Sequence, residues 1–263
     1  MNSDTIILSM TTWPPRYNDA VKAMAEIVRQ REKDNLEEKV HCILVLSEEE
    51  FFATPVYSRS LVKCMQDMGV DVIFDNGNIR SHKKLIPAIE HYPDNPILVI
   101  DDDLKQQDGW LRTFVKDHEA YPEDIIYGMS RSKICVNADG IIHEERLKML
   151  YSQPGLKSIN LKPANGASGT LYPAHTFNDK RFFVRELFMK VSPTSDETWQ
   201  FAFAMFERPS FRCLSGHNIP YSIGAKEDCA LYNTNVHIYD KIHNDIAAVI
   251  PEYLEALRKN CEN

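Results

Sequence analysis

Three consecutive aspartates, Asp101-Asp102-Asp103, follow directly on the apolar run Ile97-Leu98-Val99-Ile100. So short a run of aliphatic side chains has the length of a buried strand rather than that of a helix. The carboxylates therefore stand where a strand would leave its sheet, which is the edge at which open α/β folds bind ligands. Alternate aspartates such as Asp101 and Asp103 can share one hard divalent cation, Mn2+ or Mg2+, through oxygen. The same tripeptide also fits a solvated acidic turn that caps a helix beginning near Trp110. Other segments have to decide between the two.

A second acidic pair, Asp196-Glu197, opens a helical pattern that reaches Phe206. Carboxylates in a first helical turn offset the positive end of the helix dipole, and a carboxylate also suits the work of a general base. Lys84 opens the helical stretch Lys84 to Tyr92, where a cation and a helix N-terminus would both favour phosphate, whereas His82 reads as a surface residue. Asp75 ends a strand beside Asn76-Gly77 and is either a ligand contact or a turn former. The small residues of Gly166-Ala167-Ser168-Gly169 let backbone approach a ligand closely, or form a tight turn.

These side chains need a frame. At 263 residues the chain can bury a substantial core, and 43% hydrophobic with 26% charged residues describes a globular protein. A net charge of −8 argues against a nucleic-acid partner, because phosphate backbones are bound by clustered Lys and Arg. The six cysteines are scattered without metal or redox spacing, which points to reduced thiols. The start lacks a basic segment followed by an apolar core, and no apolar run is long enough to span a bilayer. The expectation is a cytoplasmic protein with no transmembrane segment, for which peripheral contact with the inner face of a membrane stays open.

Strand patterns at Thr5–Met10, Val40–Leu46, Val70–Phe74 and Ile97–Ile100 alternate with helical ones at about Asn18–Arg31, Ser58–Met68 and Lys84–Tyr92. This is the period of βαβ units. It predicts an α/β fold with a mostly parallel central sheet and helices on both faces. Beyond the aspartates come a helix from Trp110 to Ala120, an extended Ile125–Met129 and a hairpin around Asn137-Ala138-Asp139-Gly140. After an irregular stretch from Tyr151 to Ala164, helices are expected from Asp196 to Phe206 and from Ala247 to Lys259. No linker or repeat divides the chain, so residues 1–263 read as a single domain, which the aspartate triplet divides into parts of about 1–104 and 105–263.

Taken together, Leu8-Ser9-Met10-Thr11-Thr12-Trp13-Pro14-Pro15-Arg16, Lys83-Lys84-Leu85-Ile86-Pro87-Ala88, Val99-Ile100-Asp101-Asp102-Asp103, Gly166-Ala167-Ser168-Gly169-Thr170-Leu171-Tyr172-Pro173 and Asp196-Glu197-Thr198-Trp199 have a familiar order. They resemble, in sequence and spacing from about Thr5 to Asp245, a bacterial family of nucleotide-sugar-dependent glycosyltransferases with the A-type, Rossmann-like fold. The resemblance implies that Thr11, Thr12 and Arg16 hold the nucleotide base and that Asp75 reads it. It selects Lys84 rather than Lys83 for the diphosphate. It makes Asp103 the principal metal ligand, with Asp101 assisting through the ribose or a metal-bound water and Asp102 on the nucleotide sugar ring. A third metal ligand near the C-terminus would come from His237, His243 or Asp245, with His243 preferred. It places Ser168 near the donor sugar or the acceptor and makes Asp196, or else Glu197, the catalytic carboxylate.

The implied activity is metal-dependent, inverting transfer of a hexose or N-acetylhexosamine from a nucleotide diphosphate sugar, UDP-linked for preference, to a glycan or lipid-linked acceptor. Leu104-Lys105-Gln106-Gln107-Asp108-Gly109 departs from the family by lacking an aromatic-proline turn, and Leu231 to His243 matches only loosely. The alternatives are a nucleotidyltransferase, for which the Gly-rich basic phosphate loop is missing after the first strand, and a noncatalytic nucleotide- or glycan-binding relative.

Overall fold

The computed structural model describes residues 2–151, 154–157, 161–163, 165–208, 210–216, 220–223, 235 and 237–261. Strand β1 (Ile6–Thr11) leads through a 3-10 turn at Pro14–Arg16 into helix α1 (Tyr17–Lys33). Strand β2 (Val40–Ser47), helices α2 (Glu48–Ala53) and α3 (Pro55–Asp67) and strand β3 (Asp71–Asp75) follow. A 3-10 turn at Arg80–Lys84, helix α4 (Ile86–His91) and strand β4 (Ile97–Ile100) complete the first half. Lys84 thus ends a 3-10 turn and does not open a helix, which corrects the expectation from sequence; Pro87 suits the first turn of the short helix behind it.

The second half contains β5 (Leu104–Lys105), α5 (Trp110–Ala120), β6 (Ile125–Tyr127), β7 (Ser130–Val136), β8 (Ile142–Tyr151) and β9 (Leu161–Pro163). It continues through α6 (Asn165–Ser168), β10 (Thr170–Tyr172), α7 (Arg185–Val191), α8 (Asp196–Glu207), β11 (Phe211–Cys213) and β12 (Tyr221–Ser222). Two C-terminal helices, Tyr239–Val249 and Pro251–Cys261, stand where one was expected, because Pro251 cannot continue the first of them.

The central sheet has seven strands in the order β11-β6-β10-β4-β1-β2-β3. Strands β4, β1, β2 and β3 are mutually parallel and β6 pairs parallel with β11, so β10 alone runs against its neighbours β4 and β6. The sheet carries cores on both faces. Ile6, Leu8 and Met10 pack with α1, α3 and α5, whereas Ile7, Val99 and Tyr127 pack with α4, α7, α8 and the C-terminal helices. Alternate residues of one strand supply the two cores, as the two-residue repeat of a strand requires. The hairpin expected around Asn137–Gly140 forms β7 and β8, and β9 joins the other side of β7 to make a three-stranded sheet that sequence reading did not foresee.

Helix α8 is apolar around most of its circumference. Trp199, Phe201, Ala202, Phe203, Ala204 and Met205 are all buried, so it is a core helix whose N-terminus cannot shift without disturbing many contacts. Its first turn carries Asp196 and Glu197. The frame that holds this acidic pair is thus a helix packed into the core.

Candidate active site

Because β1, β3 and β4 run parallel, their ends bring Thr11, Asp75 and Asp101 to one edge of the sheet. From β1 the order proceeds to β2 and β3 on one side and to β4 on the other, so a topological switch point lies between β1 and β4. The two segments that leave this crevice are tied together. Thr12 Oγ1 donates to Asp102 Oδ2 at 2.6 Å, and Arg16 Nη1 lies 3.1 Å from Asp102 Oδ1 and 3.0 Å from Asp103 Oδ2. Asp102 is therefore an internal tie. Burial pushes its carboxyl up to about 6, although the Thr12 hydroxyl and Arg16 oppose the change.

Asp101 and Asp103 flank that tie with side chains 36% and 31% exposed. Lys84 Nζ meets Asp101 Oδ1 at 2.9 Å and Asp196 Oδ2 at 3.1 Å, and so links the triplet to the head of α8. Two carboxylates clamp one buried ammonium. Burial works against the charged lysine, but Asp101 and Asp196 outweigh it and raise its pKa, so Lys84 stays protonated. For Asp196, burial alone would favour the neutral acid, yet Lys84 and His82 hold its carboxyl below the usual range. Gln200 Nε2 adds a 3.2 Å hydrogen bond to Asp196 Oδ2, and Tyr172 Oη donates in turn to Gln200 Oε1 at 3.1 Å.

Glu197, one residue on, has a different environment. Tyr239 Oη donates to its Oε1 at 3.1 Å and Lys162 Nζ stands 3.4 Å away, and the side chain is 26% exposed. Burial raises its pKa, with Glu144 and Asp196 adding to the rise and Lys162 opposing it. The acidic pair therefore splits into an ion-paired Asp196 and a more basic Glu197.

The α6 segment closes the site from another side. Asp101 N–H donates to Gly166 O at 3.0 Å, and a Cβ on Gly166 would fall 1.7 Å from Asp101 Oδ1. Only glycine permits that approach. Ser168 is fully buried, its hydroxyl has no hydrogen-bond partner among the described residues, and Trp110 Nε1 donates to its carbonyl at 2.9 Å.

The structure thus brings together Thr12, Arg16, Lys84, Asp101, Asp102, Asp103 and Asp196. Thr11 Oγ1 bonds Val45 O at 2.8 Å, which commits its side chain to the neighbouring strand. Asp75 Oδ2 is buried and has no hydrogen-bond partner among the described residues; burial raises its pKa against Arg185 and Lys83. Lys83, which the resemblance passes over for the diphosphate, is 2% exposed and paired with Glu50 at 2.6 Å. His82 is also a correction: it is fully buried, its Nε2 lies 2.9 Å from Ser192 O and its ring packs on Phe188.

His243 stands elsewhere. Its Nδ1 lies 2.7 Å from Tyr253 Oη and its Nε2 2.9 Å from Glu144 Oε2, so both ring nitrogens are occupied within a buried cluster. Asp245 pairs with Lys241, and of the loosely matching segment Leu231–His243 only Asn235 and His237 onward are described. Among the described residues no three His, Cys, Asp or Glu side chains form a metal site, so the third protein ligand expected from sequence is not found at the triplet. Asp101 and Asp103 do fit a cation held partly by substrate, since Mg2+ commonly uses one or two carboxylates together with phosphate oxygens and water. Asp103 is raised by burial and by the charge of Asp101, a strain that a shared cation would relieve.

Neither a protein-family model nor a curated protein matches the sequence. Solved structures do. Residues 1–349 of S. aureus TarS superpose with a TM-score of 0.56 at 13% identity over 83% of this chain, and the same fragment in complex with UDP-GlcNAc gives 0.56 at 11% identity over 87%. The fold is similar to that of this part of TarS. This chain spans 60% of those fragments and 37% of a longer TarS structure, which it matches with a TM-score of 0.56 at 12% identity. At that identity the likeness speaks for architecture alone, and the α/β fold with a mostly parallel central sheet expected from the sequence is the one observed. No described helix is long and apolar enough to cross a membrane.

What sequence reading missed is the pair of residues behind Glu197. Lys162 and Glu144 lie in segments with no local pattern, and only the packing of β9 against α8 and of β8 against the first C-terminal helix brings them there.

Proposed function

We propose that the chain is a nucleotide-sugar-dependent glycosyltransferase that moves a hexose or N-acetylhexosamine, from a UDP-linked donor, to a glycan or lipid-linked acceptor. The observation that carries this reading is the Lys84 bridge from Asp101 to Asp196. It joins the carboxylates best suited to the donor with the acidic pair best suited to the acceptor across one ammonium. The TarS complex with UDP-GlcNAc supports the choice of donor class.

In this reading the crevice between β1 and β4 takes the nucleotide, with Thr12 and Arg16 fixing the wall and Asp75 at the end of β3 available to the base. Mn2+ or Mg2+ held by Asp101 and Asp103 would offset the charge that develops on the leaving diphosphate. The acceptor hydroxyl attacks the anomeric carbon from the face opposite the diphosphate and gives its proton to the acidic pair of α8. The new glycosidic bond forms as the bond to the diphosphate breaks, and the configuration inverts. Asp196 is ionised at neutral pH by its pair with Lys84, and we assign it the role of base, with Glu197 beside it as the alternative acceptor.

Asp196→Asn keeps size and most of the hydrogen-bonding shape. It should slow turnover about a hundred- to ten-thousand-fold with donor affinity little changed. Product anomers read by NMR should be inverted. Retention would overturn direct displacement, and near-normal turnover in Asp196→Asn would move the base to Glu197.

A further inference from the structure

Behind the acidic pair lies a buried chain of polar groups that the reaction above does not use. Lys162 Nζ, on a side chain 3% exposed, donates to Glu144 Oε2 at 2.6 Å and to Thr198 Oγ1 at 3.1 Å, stands 3.4 Å from Glu197 Oε1 and sits 4.0 Å above the ring of Tyr239. Glu144 is 2% exposed, and its two oxygens are engaged by Ser132, Lys162 and His243. His243 is held on its far side by Tyr253. Each member is fixed by the next.

Burying this many ionisable groups is costly, and an apolar replacement of similar volume is often neutral or stabilising. A purely structural cluster would close on itself. This one ends on Glu197, its partly exposed member, next to Asp196 at the proposed acceptor side. The ammonium donates to Glu144 and Thr198 and keeps Glu197 as an ion-pair partner at 3.4 Å, and Tyr239 contributes both a ring beneath the cation and a hydroxyl to Glu197 Oε1.

We propose that Lys162 is a positioning residue: anchored by Glu144 and seated on Tyr239, it fixes the carboxylate of Glu197 beside Asp196 at the mouth of the site. The proposal rests on the glycosyltransferase reading for its catalytic consequence, but not for the geometry it predicts. The groups that face Glu197 are Asp196 on its own helix, Lys162 on β9, Glu144 on β8, Tyr239 on the first C-terminal helix and Lys84 at the end of its 3-10 turn. The single ammonium of Lys162 is shared between two carboxylates and lies closer to Glu144 than to Glu197. Removing the ammonium and removing its competitor should therefore act on Glu197 in opposite directions.

The test uses the full chain labelled with 13C at glutamate carboxyls, with the Glu197 resonance assigned by its loss in Glu197→Gln. Lys162→Met should raise the titration midpoint of Glu197, and Glu144→Gln should lower it, each by about half a pH unit or more. Tyr239→Phe, which keeps the ring and removes one O–H donor, should raise it by less and serves if the buried variants fail to fold. Midpoints that stay within 0.1 pH unit of wild type, an order-of-magnitude limit, in every folded variant would overturn the proposal. In turnover assays Lys162→Met should lower kcat about tenfold or more with donor KM within about threefold. A wild-type chain with no transfer activity but with the predicted midpoint shifts would sink the glycosyltransferase reading and leave the positioning role of Lys162 standing.

Discussion

Lys84 and Asp196 form a 3.1 Å ion pair between side chains that are each 7% exposed, and the same ammonium holds Asp101 at 2.9 Å. Replacing Lys84 by Met would strand the Asp196 charge in the interior. Breaking a buried pair from one side costs about 3–5 kcal/mol, and the open side of Asp101 moderates its share, so a loss of about 3 kcal/mol is expected in urea unfolding. UDP-sugar affinity should also fall, by about 1.5–3 kcal/mol, if the third N–H of Lys84 reaches a donor phosphate. Wild-type affinity in titrations of folded Lys84→Met would confine the residue to a structural role.

The separated carboxylates are tested by Asp103→Ala. Arg16 keeps Asp102 as a partner, so the fold should survive with a change in stability of about 1 kcal/mol or less. Mn2+-dependent binding of a UDP-sugar should disappear. Unchanged calorimetric affinity would remove Asp103 from the proposed metal site.

Gly166 tests the closeness of the α6 segment to the triplet. A methyl group there would stand 1.9 Å from Asp101 Cγ, so Gly166→Ala must displace Asp101 or the loop. Overpacking of this kind costs about 1–3 kcal/mol. Donor binding should weaken along with stability, whereas a Gly155→Ala control, with no atom near the added Cβ, should leave donor binding unchanged.

The four parallel strands and the carboxylate triplet were legible because each is local: short aliphatic runs mark β1, β2 and β4, and the aspartates follow β4 without a gap. The departures have equally specific causes. His82 reads as a surface residue because polarity usually means solvent, yet its partner, the Ser192 carbonyl, lies 110 positions away. Pro251 split a helix that the apolar pattern alone runs together. His243 looked like a ligand because its partner Glu144, 99 positions away, is invisible to any motif. Thr11 looked available because strand pairing with Val45 leaves no trace in its own segment.

Acid should destabilise the fold through its buried histidines. His82 and His243 are both fully buried, and burial lowers both pKa values below the ordinary 6.5, against the opposing pull of Asp196 on His82 and of Glu144 on His243. Above that pH both the folded and the unfolded chain carry them neutral, and they contribute no slope. As pH falls below about 6.5 the unfolded chain binds protons that the folded one refuses, so stability drops by up to about 1.4 kcal/mol per pH unit for each histidine. Thermal melts at successive pH values should show a shallower decline for His82→Gln than for wild type, and parallel declines would contradict the assignment.

The central claim, a nucleotide-sugar site between β1 and β4 joined through Lys84 to the acidic pair of α8, is tested most directly by calorimetric titration of the chain with UDP-GlcNAc and a panel of other nucleotide sugars, with Mn2+ and with chelator. The account predicts saturable binding of at least one UDP-sugar with Mn2+, weakened about tenfold or more by chelator and by Asp101→Ala. Absence of binding to every nucleotide sugar in the panel, or affinity indifferent to both the metal and Asp101, would contradict it.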